Sequence, residues 1–458
     1  MRKNGVCLRA ACLVTILFYG LQPSRAEIFS ARDALAFAYA NSPKLEAARA
    51  KLRATDQEVS RANAGWKPTI AATGSAGIQE RRTNPAGAGL NGGVQPLIGQ
   101  ISVIEPIYRG GRTLAGVRQA KALVQAGRAE LTTAEAGVLL SAITSYMDVI
   151  RDRKIFEARR QNLSLLTTQV AAVREMNRLR AATLTDMAQS EARLARSRSD
   201  LSQARAQLTL SLSLFEQNVG RPAETLEEES LMPAIPGDIQ GAIESAVKLH
   251  PSVVATQENE RAAEFGVDIA VGALLPEVSL QLQYQKSRDD LTSLNIRNEL
   301  SVGAVMLQAR IPLFQGGAEY AAVREAKEVS SQYHYLVRDT QARVRQVLMQ
   351  ALGNLEASRV EVFATGEQLR ASRAALDGVS EGQKGGERSI LDVLNATQEL
   401  VEAQVASAIA ARNHAVAVYQ MLEALGQLSA ASLKLPGPRY DPEISYHRAA
   451  EAWFDLGK

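Results

Sequence analysis

The chain of 458 residues contains an internal duplication, and this repeat limits its possible folds more than any other feature. Pro43 and Pro68 have counterparts 208 positions later, at Pro251 and Pro276. Further landmarks recur 206 positions later: Pro106 and Pro312, Gly110-Gly111 and Gly316-Gly317, Val117-Arg118 and Val323-Arg324, Asp186 and Asp392, Gly220 and Gly426. A repeat of this kind is a structural unit copied as a whole, so both halves are expected to fold alike.

The repeat divides the chain into five predicted parts. These are a secretory signal peptide at 1–26, a first repeat at 27–220, a linker at 221–237, a second repeat at 238–426 and a C-terminal tail at 427–458. The signal is predicted because basic residues precede the apolar run from Cys12 to Leu21, and the small residues Ser24 and Ala26 suit signal peptidase. That run is shorter than the ~20 residues that a membrane-spanning helix needs.

Removal of the signal peptide changes both the charge and the cysteine count. Cys7 and Cys12 are the chain's two cysteines, so the mature chain contains none. Loss of the four basic residues in 1–26 leaves 48 of the 52 arginines and lysines, against 49 acidic residues. A chain this close to neutral gives no indication of nucleic-acid binding.

Short alternating segments lie between long helical patterns, at equivalent places in both repeats. In 276–287 the apolar residues on one face are Val278, Leu280, Leu282 and Tyr284, and the polar residues on the other face are Ser279, Gln281, Gln283 and Gln285. This period of two is typical of a membrane β-barrel strand and also of a half-buried strand in a soluble protein. We predict hairpins at about 68–109 and about 276–314, with strands at 69–79, about 98–108, 276 to about 289 and about 299–314.

Each hairpin is followed by a very long helical pattern. The first begins at Arg112 and continues for about 65 residues, which corresponds to a helix of ~100 Å. A turn is predicted at 177–182 and a second helix at 183–218, and the long helix of the second repeat is predicted at 319–382. Ser30 and Asp33 predict a capping box that opens the first, shorter helix, which is broken at 41–43 and ends near Ala64.

Four strands in one chain cannot close a barrel, because hydrocarbon does not tolerate open strand edges and known single-chain barrels begin at eight strands. If the strands enter a membrane, the protein is therefore an oligomer. Three chains would supply twelve strands, and two chains would supply eight. The helices are too long for a compact domain and would continue the barrel as a tube.

The order of the motifs resembles the TolC family of outer-membrane efflux and secretion ducts over essentially the whole mature chain. The matching segments are A-L-A-F-A-Y-A-N-S-P at 34–43, E-P-I-Y-R-G-G at 105–111, I-P-L-F-Q-G-G at 311–317, T-L-T-D at 183–186 and R-S-I-L-D-V-L-N-A-T at 388–397. The resemblance implies a mostly α fold with a transmembrane β-barrel, in which a homotrimer forms a twelve-stranded barrel continued by a long periplasmic α-helical barrel of coiled coils. It also implies an outer-membrane location with a large periplasmic part, and a passive duct for a tripartite efflux pump or a type I secretion system. The implied partners are outer-membrane lipid, a periplasmic adaptor and an inner-membrane transporter. The resemblance also implies that the C-terminal tail is periplasmic and packs around the middle of the tube.

The same resemblance assigns a gate to the periplasmic tip of the helices. It implies that Arg388 and Asp186, with Thr185 beside them, link neighbouring coils and hold the pore closed. It places Asp392 in the pore, where three copies would form a ring of like charges.

This chain departs from the family pattern at three positions of the tip. Gln383 stands where some members have tyrosine, and Asn395 stands where some have a second carboxylate, which predicts a weaker constriction. Arg180 replaces a usual glycine in the first turn, which leaves the geometry of that turn open.

The tip carboxylates also have a purely structural interpretation. Asp186 and Asp392 each follow a hydroxyl residue by three positions, Thr183 and Ser389, which is the spacing of a capping box. The carboxylates would then stabilise the starts of two helices. The capping and gating roles do not exclude each other.

Motifs for other functions are weak. The glycine pattern at 87–92 matches G-x-G-x-x-G, but a strand and not a helix follows it, so it predicts an exposed loop and not a nucleotide site. The four histidines are scattered, and His250 before Pro251 is expected to begin a helix. We therefore predict no catalytic residue, metal site or cofactor. The alternative to a duct is a soluble periplasmic coiled-coil scaffold or adaptor protein that carries two hairpins.

Overall fold

Two helices, an antiparallel strand pair and two long helices make up each repeat. The computed structural model describes residues 29–81, 92–228, 232–291 and 296–451. The first repeat contains α1 (Ala31–Asn41), α2 (Pro43–Asn63), β1 (Thr69–Ala76), β2 (Gln79–Arg81), β3 (Gly92–Arg109), α3 (Arg112–Arg178) and α4 (Leu184–Val219). The second contains α5 (Ile239–Leu249), α6 (Pro251–Gly272), β4 (Glu277–Leu291), β5 (Ile296–Arg310), α7 (Ala318–Lys384) and α8 (Ile390–Ala424), and α9 (Pro442–Glu451) follows in the tail. The signal peptide, residues 87–91 of the glycine pattern and Trp453 lie outside the described residues.

The helix signals read from the sequence agree closely with these bounds. Ser30 caps α1 as predicted, because its hydroxyl accepts the Asp33 amide at 3.2 Å while Asp33 Oδ2 accepts the Ser30 amide at 3.2 Å. The predicted break at 41–43 separates α1 from α2. His250 begins α6 as expected, and its Nδ1 accepts the Ser252 amide at 3.1 Å.

All described strands form one antiparallel sheet in the order β1-β3-β4-β5, with the short β2 beside β3. The hairpin registers repeat the duplication, because the pair Thr69 and Ile104 becomes Glu277 and Arg310 when 208 and 206 are added. The predicted face of β4 is confirmed: Leu282 and its strand neighbours Val103 and Val305 share one face, while Gln283 lies on the other. Within one chain, β1 and β5 are the two edges of this sheet.

The predicted strand ends were wrong in three places. The first strand is interrupted at Gly77, so β1 ends at Ala76 and a separate β2 begins at Gln79. β3 begins at Gly92 because its outer part pairs with β2 and with the end of β4. β5 ends at Arg310 and not at Phe314, since the residues after it have no partner strand in the described part of the chain.

The largest core cluster lies at the middle of α3, where Leu139, Ile143 and Tyr146 are fully buried. Helices α1, α4 and α8 pack on this part of α3. The first part of the tail contributes Leu428 and Leu435 to the same cluster. The Tyr146 hydroxyl joins the linker to this core, because it donates to the Glu227 carbonyl at 2.7 Å. Among the described residues, no helix combines the length and the apolar character of a membrane span.

Candidate functional site: the helical tip

Two turns form the tip, one between α3 and α4 and one between α7 and α8. In the first, the Ala181 amide donates to the Met176 carbonyl at 2.8 Å, and in the second the Glu387 amide donates to the Gly382 carbonyl at 2.9 Å. These bonds are the same bond shifted by 206 residues. The turns therefore have one design, in which the helix ends with a bond that spans a left-handed residue.

That left-handed residue is Arg180 in the first turn and Gly386 in the second, with φ of 61° and 79°. The replacement of glycine by Arg180 consequently leaves the turn geometry intact. Left-handed backbone costs a residue with a Cβ about 1–2 kcal/mol, so the first turn is the more strained of the two. The Asn177 side chain supports it by donating to the Ala182 carbonyl at 2.9 Å.

Each turn is followed by a complete capping box, as the sequence predicts. The Thr183 amide donates to Asp186 Oδ2 at 3.0 Å, and the Asp186 amide donates to the Thr183 hydroxyl at 3.1 Å. The Ser389 amide donates to Asp392 Oδ2 at 3.0 Å, and the Asp392 amide donates to the Ser389 hydroxyl at 3.2 Å. The structural role of both carboxylates is thereby confirmed.

These bonds favour the ionised carboxylates. Hydrogen bonds from the side chain and backbone of Thr183 lower the pKa of Asp186 below its usual 3.8. Bonds from the Ser389 backbone and side chain, together with the nearby Arg388 charge, lower the pKa of Asp392. Both groups are therefore negatively charged at neutral pH, and they lie at the positive ends of α4 and α8.

The remaining predicted residues lie around these turns. Thr185 is exposed in the first turn of α4, and Arg388 is exposed and packs on Gly382. Gln383 lies in the last turn of α7, where its carbonyl accepts the Gly386 amide at 3.1 Å. Among the described residues, no carboxylate lies within the ion-pair distance of Arg388, so one chain does not bring Arg388 and Asp186 together as a salt bridge.

Asn395 has a partner that the sequence did not reveal. Arg193 of α4 donates through Nη2 to Asn395 Oδ1 at 2.6 Å, which ties the two helical hairpins of one chain together near the tip. Beneath this bond, Leu394 of α8 is buried against Leu166, Val170 and Leu194 of the other hairpin. No sequence motif marks Arg193, because its role depends on how the two helical hairpins pack.

Comparisons with known proteins agree with this architecture. The sequence model of the family described as "Outer membrane efflux protein" matches residues 35–220 and 242–427, one match for each repeat. The Outer membrane efflux protein BepC of Brucella suis biovar 1 is 33% identical over 425 residues, covering 92% of this chain and 91% of BepC. The Outer membrane protein TolC of Vibrio cholerae is 23% identical, covering 64% of this chain and 68% of that protein. The crystal structure of the Campylobacter jejuni CmeC outer membrane channel has a TM-score of 0.77 at 15% identity, covering 92% of this chain and 89% of CmeC.

Proposed function

This chain belongs to the outer membrane efflux protein family, and we propose that it acts as a homotrimeric duct whose helical tip is opened by a periplasmic adaptor. As a member of the family it is an outer-membrane exit channel, and the resemblance to the TolC family is confirmed. Family membership also argues against the alternative, a soluble periplasmic scaffold or adaptor protein. The chain is a conduit, and an inner-membrane transporter supplies the driving force.

The observation that carries closure of the sheet by neighbouring copies is the unpaired end of β5. In the first repeat, Pro106 and Tyr108 at the end of β3 pair with β4. Their counterparts Pro312 and Phe314 follow β5 and pair with no strand among the described residues, and Leu313 and Phe314 are 91% and 81% exposed. In the duct, this segment and β5 pair with β1 of the next copy, which removes both sheet edges.

The long helices support the same arrangement. Helix α3 packs between α2 and α6, whereas α7 packs on α6 and, within the described part of the chain, no copy of α2 or α6 covers its other side. Large apolar side chains are consequently exposed in the first part of α7, at Tyr320 and Tyr335. Because α2 is the counterpart of α6 in the repeat, α2 of the next copy is the element that covers this face.

The tip is the gate of the duct. Arg388 of one copy pairs with Asp186 and Thr185 of its neighbour, and its lack of a carboxylate partner among the described residues of its own chain supports this assignment. Asp392 supplies a ring of three negative charges, which favours cations at the constriction. Gln383 and Asn395 provide neither a phenol nor a carboxylate, so the closed tip is held less tightly than in members that have both.

A mass measurement tests this proposal. The mature protein is extracted from outer-membrane and soluble fractions separately, and its mass in detergent is determined by light scattering. We expect three chains per particle, recovered from the outer membrane. A monomer from the soluble periplasm would refute the trimeric duct, and a dimer would replace twelve strands with eight.

A further inference from the structure

A cavity of about 480 Å³ lies between α3, α6 and α9. We call it the Arg118 pocket. Its basic lining comes from Arg118 and Lys121 of α3 and from Arg261 of α6, and its aromatic lining from Phe265 of α6 and Tyr446 of α9. None of these residues belongs to the tip, so gating does not explain the pocket.

The pocket carries an excess of positive charge. Arg118 and Lys121 are exposed and have no carboxylate at ion-pair distance within the described part of the chain. Arg261 Nη1 lies 3.9 Å from Glu258 Oε1, which is a weak pair, and Glu258 Oε2 is buried without a hydrogen-bond partner. Three cations therefore surround one carboxylate, and a concave site with such a balance concentrates anions.

With the sheet in the outer membrane as proposed, the pocket lies at the level of lipid headgroups. Trp66 and Tyr108 lie beside the ends of β1 and β3 and are 50% and 45% exposed, as aromatic residues are at a membrane interface. Arg118 lies six residues into α3, or ~9 Å below that boundary. Headgroups extend roughly 5–7 Å beyond the hydrocarbon, and arginine and lysine side chains reach several ångströms toward an interface.

The tail completes the pocket from one side. Helix α9 is fixed to α3 by the ion pair between Arg128 Nη1 and Glu443 Oε1 at 2.6 Å, and to α2 by a hydrogen bond from the Ser445 hydroxyl to Asp56 Oδ2 at 2.7 Å. The inference requires that α9 and the Tyr446 side of the pocket lie on the outer surface of the duct wall. The three cations recur in the repeat as Arg324, Lys327 and Arg53, but Phe265 corresponds to Gln57, and Tyr446 lies outside the repeat. The aromatic wall is therefore present once per chain.

We propose that the Arg118 pocket binds the phosphate headgroup of an anionic phospholipid from the periplasmic leaflet. The two aromatic rings form an apolar wall for the glycerol and the start of the acyl chains, and the cations bind the phosphate. This inference rests on the proposed placement of the sheet in the outer membrane. The bound lipid fixes the height of the duct in the membrane.

Native mass spectrometry of the protein released from lipid nanodiscs tests the inference. The discs contain phosphatidylcholine with or without phosphatidylglycerol, and the readout is the number of lipids retained per chain. We expect the wild type to retain phosphatidylglycerol at one site per chain. The Arg118→Gln/Lys121→Gln variant is expected to prefer phosphatidylglycerol about 30-fold less strongly, since two basic contacts are lost.

The matched control is Lys44→Gln/Lys248→Gln, which removes the same charge from exposed lysines of α2 and α5 and should retain the lipid. Equal retention in the wild type and both variants would overturn the proposal. Displacement of the lipid by millimolar inorganic phosphate would show a site for free phosphate and would also overturn it. The same spectra report the oligomer: a trimer without bound lipid contradicts only the pocket, whereas loss of the trimer contradicts the proposed duct.

Discussion

Arg180 and Gly386 occupy the same place in two equivalent turns, 206 residues apart, and both have left-handed backbone. Glycine at 386 adopts this conformation readily, whereas arginine at 180 does not. The second turn therefore depends on its glycine, whereas the first tolerates a side chain at some energetic cost.

This difference predicts opposite responses to substitution. Gly386→Ala should destabilise the second turn by about 1 kcal/mol, because alanine is strained at φ 79°. Arg180→Gly should leave the first turn unchanged or stabilise it by up to about 1 kcal/mol. Hydrogen exchange of the amides at 181–190 and 387–396 measures both effects.

A glycine within a helix provides the control for this pair. Gly378 lies in α7 with open space where the Cβ of an alanine would lie, so Gly378→Ala should stabilise the helix by roughly 0.5–1 kcal/mol. If Gly386→Ala also stabilised the tip, the left-handed turn would be absent from the protein in solution.

Capping and gating by Asp186 are separable. Asp186→Asn keeps an oxygen that accepts the Thr183 amide but removes the charge that would pair with Arg388 of a neighbour, so single-channel conductance in a planar bilayer should rise. Thr183→Ala should instead weaken the start of α4 by about 1 kcal/mol, measured by hydrogen exchange.

The capping box of α1 offers a matched control for the conductance measurement. Asp33→Asn makes the same chemical change in the capping box of Ser30, which lies far from the tip in the sequence and in the fold. It should leave conductance at the wild-type value. Equal conductance in Asp186→Asn, Asp33→Asn and the wild type would leave Asp186 with a capping role alone.

The lowered pKa of Asp392 sets the pH range of its cap. Because the pKa of Asp392 in the folded protein lies below the ordinary value of 3.8, its stabilising contribution is fully present above that value. It is lost as the pH falls through the folded pKa. Hydrogen exchange at 389–393, corrected for intrinsic rates, should therefore show constant protection from pH 7 to pH 5 and loss only below pH 3.8. Loss of protection above pH 5, or the same loss in Asp392→Asn, would show that another group controls the cap.

The bond between Arg193 and Asn395 should restrain the tip from within each chain. Arg193→Gln lengthens or removes this contact, and conductance of the closed channel is expected to rise severalfold, in line with the loss of a hydrogen bond to a charged group. Arg198→Gln removes a nearby cation of α4 that bonds no residue of α8, and should have no effect. A similar rise in both variants would assign the change to charge near the tip and not to this bond.

The sequence predicts the helices better than the strands, for a physical reason. Helix ends are set by nearby residues such as Ser30, Gly111 and Thr183, and the predicted bounds of α3 and α4 lie within a few residues of those observed. Strand ends depend on a partner strand far along the chain, which is why the start of β3 and the end of β5 were wrong. The capping boxes were predictable from spacing, but the bond from Arg193 to Asn395 depends on the packing of two helical hairpins.

Cysteine cross-linking between copies tests the central claim, closure of the sheet by three chains, most directly. Cys7 and Cys12 are the chain's two cysteines and lie in the predicted signal peptide, so introduced pairs are uncomplicated. Ser102 of β3 lies opposite Gln283 of β4. In the repeat, Ser102 corresponds to Gln308 of β5, and Gln283 corresponds to Ser75 of β1. The same register therefore places Gln308 of one copy opposite Ser75 of the next. Opposed residues in antiparallel strands have Cβ atoms roughly 4.5–5.5 Å apart, close enough for a disulfide after a small adjustment.

The measurement is non-reducing electrophoresis of Ser75→Cys/Gln308→Cys from oxidised outer membranes, beside Ser75→Cys/Val302→Cys, whose cysteines would lie ~20 Å apart. Our account predicts a ladder of one, two and three linked chains for the first variant and unlinked chains for the second. A folded, membrane-located first variant that stays unlinked, or a ladder that ends at two chains, would contradict the twelve-stranded duct.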